Sequence, residues 1–397
     1  MKILVVYFGD VTNRSSSWQF ALELLGSVSD NHQLTLMDVS FLRRSEDAVL
    51  PWSVIDAQIG KVFLYLKKAF KRFAPPMERL LYRYVFTIPQ LKIKSKIDVH
   101  GYDGIWIFNP EPFLWQFYLD LLKGYEGKVH ISVLDDPITN QSYARYQVDS
   151  KSSFLRLMTR ANSVDTPTLN LLRYYEDEFG LSFKKYFLSF SGLRVIPARK
   201  PSLQKKTDYT VAFSGNLFAV ETIIAFLKAM DIVAALHKIK ISVHIYSNNS
   251  TQYIQSLNTE FGLEKYREIL KFFPFMGKEE LEKTLSKIDF LYLPLSFLNS
   301  DELKMSFSFP SKLHMYLQVN AFVILHVPVH AGIKSVTDQS NRFIEINSVE
   351  PDEVADTMIR AIQKRTDDVS WHSDDGEMLS MLDYRNRRSE LLSVWEA

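Results

Sequence analysis

The chain of 397 residues contains no cysteine. Disulfides, thiolate nucleophiles and cysteine-ligated metals are therefore excluded. A cysteine-free chain fits a reducing compartment. An excess of charge is also missing, with 47 basic residues against 46 acidic ones and a formal net charge of +1. A dedicated nucleic-acid binder carries a clear basic surplus, so nucleic acid is not an expected partner. No run approaches the ~18 apolar residues that span a bilayer. The apolar start, Met1 to Gly9, is too short for the core of a signal peptide, and a polar stretch follows from Asp10. It reads as a first buried strand. The expected location is cytoplasmic, with any membrane contact peripheral.

What the chain does have is apolar and aromatic content. Hydrophobic residues make up 46% and aromatics 13%, including 28 Phe and 19 Tyr. That is enough for two full cores, and the length suggests two domains. Short apolar runs alternate with longer amphipathic ones, the pattern of a doubly wound parallel sheet. Strands are expected at Lys2–Phe8, Gln33–Asp38, Gly104–Phe108, Val129–Leu134, Ser163–Thr166 and Leu193–Ile196. Continuous apolar runs such as ILVVYF suit strands buried on both faces. Helices are expected between them, for example at Ser17–Ser29 and Thr168–Phe179.

Pro197 to Asp208 is polar, holds two prolines and lacks apolar periodicity, so it reads as a linker. Beyond it the alternation restarts. Strands are expected at Thr210–Phe213, Lys240–Tyr246, Leu270–Phe273, Phe290–Leu293, Ala321–His326 and Arg342–Ile346. Helices are expected at Val220–His237, Thr251–Phe261, Lys278–Ser286, Pro310–Val319 and Glu350–Lys364. The division is a first domain over residues 1–200, a second over 205–368, and a terminal helix in 370–397 that packs back on the first domain. Two such sheets place ligands outside the carboxyl ends of their strands.

The second domain carries a series of segments in a telling order. These are VAFSGNLF from Val211, ISVHIYSNN from Ile241, FFPFMGKEELEKTLSKIDFLYLPL from Phe272, FPSKLHMYLQVNAFVI from Phe309 and HAGIKSVTDQSN from His330. Together they resemble the donor domain of type B glycosyltransferases, closest to the family 4-like group that builds bacterial polysaccharide and lipopolysaccharide. The resemblance covers about residues 205–365; the first domain matches only in pattern. It implies two Rossmann-like α/β domains facing across a cleft and a sugar-transferring enzyme with a nucleotide-sugar donor. It also implies a glycan or lipid-linked acceptor and no bound metal or other cofactor. One departure stands out. Many relatives carry two glutamates eight positions apart, where this chain has Phe307 and Met315.

A departing nucleoside diphosphate needs hydrogen-bond donors and positive charge. Ser214, Gly215 and Asn216 stand between a strand and a helix, where backbone N–H groups can meet phosphate; an ordinary turn is the alternative. Ser311 and Lys312 begin a helix behind Pro310, so Ser311 caps it or meets phosphate, and Lys312 reaches phosphate or is solvated. Tyr246, Ser247, Gly277 and His330 are further donor-side candidates. On the acceptor side, Asp135 and Asp136 in VLDDPIT are candidate general bases, although Asp-Asp-Pro is also a good turn. Asn109 and Glu111 in FNPEPF share that ambiguity. The remaining histidines are scattered without metal-site spacing.

Lys61 to Lys96 is the most basic segment, with Glu78 its only acid. Phe63, Phe70 and Phe73 fall at helical spacing among Lys67, Lys68, Lys71 and Arg72. Such a helix either packs on the first domain or lies on an anionic membrane surface, aromatic side down. The function expected from all this is sugar transfer onto a surface polysaccharide or lipopolysaccharide. A catalytically silent homologue acting as a partner, or a sugar-nucleotide epimerase, are the alternatives.

Overall fold

The computed structural model describes residues 1–7, 16–38, 53–56, 97–110, 112, 114–139, 151–188, 193, 205–247, 251–274, 276–319, 321–338, 340–367 and 376–396. The chain divides into two compact units. One comprises Met1–Ser191 with Tyr384–Ala397, the other Gly192–Asp383.

The first unit is built on a seven-stranded sheet. Its strands are β1 (Lys2–Tyr7), β2 (Gln33–Asp38), β3 (Ser53–Asp56), β4 (Gly104–Phe108), β5 (Lys128–Ser132), β6 (Ser163–Thr166) and β7 (Lys185–Leu188). They lie in the order β3-β2-β1-β4-β5-β6-β7, and every pair is parallel. The helices are α1 (Ser16–Ser29), α2 (Trp115–Leu121), α3 (Lys151–Met158) and α4 (Leu169–Phe179). Both ends of α4 are fixed by its sequence. Thr168 accepts a hydrogen bond from the Leu171 N–H at the start, and Gly180 closes the end with φ 62°.

The second unit holds β8 (Asp208–Ser214), α5 (Val220–His237), β9 (Lys240–Tyr246), α6 (Thr251–Phe261), β10 (Leu270–Phe273), α7 (Lys278–Leu285), β11 (Phe290–Pro294), α8 (Glu302–Phe307), α9 (Lys312–Gln318), β12 (Phe322–His326), α10 (Lys334–Thr337), β13 (Phe343–Ile346), α11 (Pro351–Asp367) and α12 (Gly376–Leu382). The strand order is β10-β9-β8-β11-β12-β13, again all parallel. In both sheets the order reverses beside the first strand, at β1/β4 and at β8/β11. That switch point is where open α/β sheets bind ligands. The main core of this unit packs α5 and α11 on one sheet face, with Phe226, Met230, Val354 and Met358 against Val243, Ile245 and Ile324.

The last helix, α13 (Tyr384–Glu396), belongs to the first unit. Its Leu391, Val394 and Trp395 join the core around Ile3, Val5 and Trp106. Trp395 lies 6.1 Å from Trp106, ring centroid to centroid. Gly104 makes the fit possible: a Cβ there would meet the Trp395 ring at 2.5 Å. Lys128 Nζ donates to the Trp395 carbonyl and Lys185 Nζ to that of Ser393, both at 3.0 Å. Two cations thus answer the negative end of the helix.

Of the strand expected at Leu193–Ile196, only Leu193 is described, and it makes a bridge with Asp383; the rest lies outside the described residues. The strand at Lys185–Leu188 is an addition to the expected set. The short β3 was not anticipated. The terminal stretch is two helices, α12 and α13, broken at Asp383 and divided between the units. Among the described residues, no helix is long and apolar enough to cross a membrane.

Candidate functional site

At the switch point of the second sheet, β8 ends on Ser214 and the chain turns at Gly215. Gly215 has φ +119°, a backbone conformation other residues avoid. The turn is pinned by its own unit. The Ser214 N–H donates to Tyr316 Oη at 2.9 Å, and Tyr316 Oη donates to the Tyr292 carbonyl at 3.3 Å. The Gly215 N–H donates to the Tyr246 carbonyl at 2.8 Å. The Ser214 and Gly215 N–H groups, expected to face phosphate, thus have partners within their own unit. Asn216, exposed, keeps its donors unpaired among the described residues.

Gly215 serves a different close approach. A Cβ at this position would meet Lys312 Cε at 2.3 Å and Nζ at 2.6 Å. The space a side chain would fill is taken by the Lys312 stem. The Lys312 ammonium lies 4.2 Å from the Phe213 ring centroid and 5.3 Å from that of Phe218. Among the described residues it has neither a hydrogen-bond nor an ion-pair partner. The residue keeps some surface, yet the ammonium is largely withdrawn from water. Desolvation lowers its pKa from 10.5 to about 8. A cation held this way costs free energy unless an anion compensates it.

The helix that carries Lys312 is itself fixed. Tyr316, four residues on and so on the same helix face, is fully buried, and burial raises its pKa to about 12. It stays a neutral hydroxyl able to accept from Ser214. At the other end, the buried guanidinium of Arg342 donates to the Leu317 carbonyl at 3.1 Å. Neither Tyr316 nor Arg342 was singled out from sequence. Tyr316 had a signal, because its spacing from Lys312 is one helical turn.

Other donor-side candidates are placed as follows. Tyr246 ends β9, its carbonyl on the Gly215 N–H and its ring stacked on Phe273 at 4.9 Å. The Ser247 N–H donates to the Phe273 carbonyl at 3.3 Å. Ser311 is exposed and makes no side-chain cap, so the capping alternative for it falls. Gly277 is exposed with φ −62°, and a Cβ there meets nothing, so no steric need for glycine exists. His330 is exposed in the turn after β12. Phe307, where many relatives carry a glutamate, is buried with 6% of its surface exposed. Met315 is partly buried on α9.

In the first unit, the turn explanation accounts for Asp136. Its carboxylate, 5% exposed, accepts from the Ile138 N–H at 3.3 Å, the Thr139 N–H at 2.7 Å, the Thr139 hydroxyl, and Tyr175 Oη at 2.7 Å. Four donors on two oxygens tie the carboxylate into the turn and to Tyr175. Asp135 is exposed on the same turn. Asn109, just past β4 at the switch point, has φ 50°, uncommon for a residue with a side chain. Glu111 lies outside the described residues, as do Phe63, Lys67, Lys68, Phe70, Lys71, Arg72 and Phe73.

A second constellation resembles a hydrolytic relay and is not one. His130 Nδ1 lies 2.9 Å from Ser163 Oγ, and its Nε2 lies 3.3 Å from Asp165. All three are buried, with Phe187 stacked on the imidazole and Trp395 at its edge. No substrate reaches it. Among the described residues no group of three or more acidic or histidine side chains could hold a metal ion.

No protein-family model and no curated protein matches the chain. Solved structures do. An α,α-trehalose-6-phosphate synthase from Burkholderia multivorans superimposes with a TM-score of 0.62 at 11% identity, covering 99% of this chain and 98% of that one. A trehalose-6-phosphate structure from E. coli bound with UDP-2-fluoro glucose gives 0.63 at 14%, covering 100% and 99%. A sucrose-phosphate synthase from Thermosynechococcus elongatus gives 0.59 at 11%, covering 99% and 94%. These names concern sugar phosphates rather than polysaccharide or lipopolysaccharide. The similarity runs the length of the chain, and the two Rossmann-like units have the α/β fold of the two-domain type B glycosyltransferases.

Proposed function

We propose that this chain is a glycosyltransferase that takes a nucleotide-sugar donor in its second unit, with Lys312 as ligand of the donor diphosphate. The observation that carries this is the Lys312 ammonium at the β8/β11 switch point, desolvated and unpaired among the described residues. A diphosphate would supply a compensating anion, and charge on the leaving diphosphate is what sugar transfer must stabilise. Asn216 adds donors beside it. The first amides of α5, a helix of 18 residues that begins just beyond this turn, add the positive end of a dipole. The names of the structural neighbours support the donor class, and UDP-2-fluoro glucose stands in one of them for such a donor.

For the acceptor, those same names favour a sugar phosphate over the lipid-linked glycan expected from sequence. The first unit is the acceptor side in this proposal, with Asn109 at its switch point as the residue to change. A polysaccharide acceptor and an anionic membrane surface rest on the basic aromatic segment alone, and vesicle co-sedimentation of the full chain decides that part.

The test is a panel of nucleotide sugars with sugar-phosphate and lipid-linked acceptors, following nucleoside diphosphate release, with nucleotide affinity measured alongside. Lys312→Ala should weaken nucleoside diphosphate binding about tenfold to a hundredfold, the range for a charge-assisted hydrogen bond. Failure of the whole panel to bind overturns the proposal. Binding without turnover favours a second reading, a silent homologue that acts as a partner. Phe307 and Met315 at the two glutamate positions are what motivate it.

A further inference from the structure

Lys312 is held by aromatic faces where a protein ordinarily uses a carboxylate. Of its two rings, Phe213 is accounted for by packing, being a buried member of the main core. Phe218 is not. It sits in the turn between β8 and α5 with 50% of its surface exposed. Leaving a large ring half in water forfeits much of what its burial would contribute to stability. Its ring nevertheless stands 5.3 Å from the Lys312 ammonium, which also lies against Phe213 and over the bare face of Gly215.

The difference between a ring and a carboxylate matters at this place. A carboxylate would hold the ammonium more firmly and cancel its charge. An aromatic face attracts a cation through its quadrupole and leaves the net charge standing. The site thus has a fixed lysine whose positive potential is unspent, since no carboxylate among the described residues pairs with it.

We propose that Phe218 is a positioning residue: with Phe213 it clamps the Lys312 ammonium over Gly215, so that an unneutralised cation faces the phosphates of the donor. This rests on the assignment of Lys312 as the diphosphate ligand, and the experiment has one arm for each. The rings stabilise the ammonium and not the neutral amine. Removing one π face while keeping its bulk therefore makes the lysine easier to deprotonate.

The first arm measures the Lys312 ionisation by NMR of carbon-13-labelled lysine in the full chain, with Lys312→Ala assigning the resonance. Phe218→Leu should lower that pKa by about half a unit to one unit, the equivalent of one cation–π contact, while Phe218→Tyr, which keeps a π face, should leave it in place. The second arm titrates UDP and ADP. Phe218→Leu should weaken binding about threefold to tenfold, and Phe218→Tyr should restore it. A lysine pKa and nucleotide affinity unchanged in Phe218→Leu overturn the proposal. If Lys312→Ala binds nucleotide as tightly as the parent, the diphosphate half of the proposal is wrong. The NMR arm then still decides whether the ring holds the ammonium. Phe218 is half exposed, so these substitutions leave the core intact.

Discussion

His326 shows how a buried side chain in the second unit sets a stability window. Its Nδ1 meets Tyr292 Oη at 2.9 Å and its Nε2 the Ser348 carbonyl at 2.6 Å. A carbonyl only accepts, so Nε2 carries the proton and Nδ1 accepts from the tyrosine. The neutral ring therefore ties the middle of β11 and the end of β12 to the loop that follows β13. Burial pulls its pKa from 6.5 to about 4. Above pH 6.5 both folded and unfolded chains hold it neutral, and the full stability is present. Between 6.5 and 4 the unfolded chain takes up a proton that the folded one refuses, so stability falls as pH falls, by about 3 kcal/mol over the window. Below 4 this contribution stops changing. Denaturant melts at pH 7.5 and pH 4.5 should show that loss in the parent chain and a smaller one in His326→Gln. An equal loss in both would remove His326 from the account. From sequence this is one of several histidines scattered without metal-site spacing, because the tyrosine and carbonyl that fix its tautomer come from residues 34 and 22 positions away.

At the scale of elements, the seating of α13 is the sharpest prediction. Trp395 fills the space that Gly104 leaves open and touches both Trp106 and His130. Trp395→Ala should cost about 3–5 kcal/mol of first-unit stability, the range for emptying a large aromatic site. Gly104→Ala should also destabilise, because the added methyl meets a rigid ring rather than a flexible chain end. Chemical denaturation followed by near-ultraviolet dichroism would report both. A loss under 1 kcal/mol for Trp395→Ala would mean that α13 is not part of this core. Most elements were legible because buried parallel strands such as ILVVY and FVILH are continuous apolar runs with nothing else to be. The failures are physical as well. Lys185–Leu188 is an edge strand with an exposed, mixed sequence, so period and hydrophobicity gave it no signature. At the site, Lys312 and Gly215 were legible as types in a pattern, but their mutual contact was not. Sequence suggested a glycine freeing backbone for phosphate. The structure uses it to admit a lysine stem from a helix almost a hundred residues later.

Across the whole molecule, the chain enters the second unit after Ser191 and leaves it after Asp383, so the first unit is completed only when the carboxyl-terminal helix has been made. Each unit has its own core, one around Trp106 and Trp395, the other around Phe226 and Tyr292. Units with separate cores unfold as separate cooperative transitions. Calorimetry of the full chain should therefore resolve two. A nucleoside diphosphate bound through Lys312 stabilises the unit that holds it, by about 2.7 kcal/mol at a hundredfold excess over Kd. For a unit of this size that is a rise of roughly 5–10 °C. Trp395→Ala should lower the other transition and leave the nucleotide-sensitive one in place, and Lys312→Ala should abolish the nucleotide shift without moving the Trp395-sensitive one. This crossed pattern is demanding, since each substitution must act on one transition alone. If UDP raised the transition that Trp395→Ala lowers, the donor site would have to be sought in the first unit and the assignment of Lys312 abandoned.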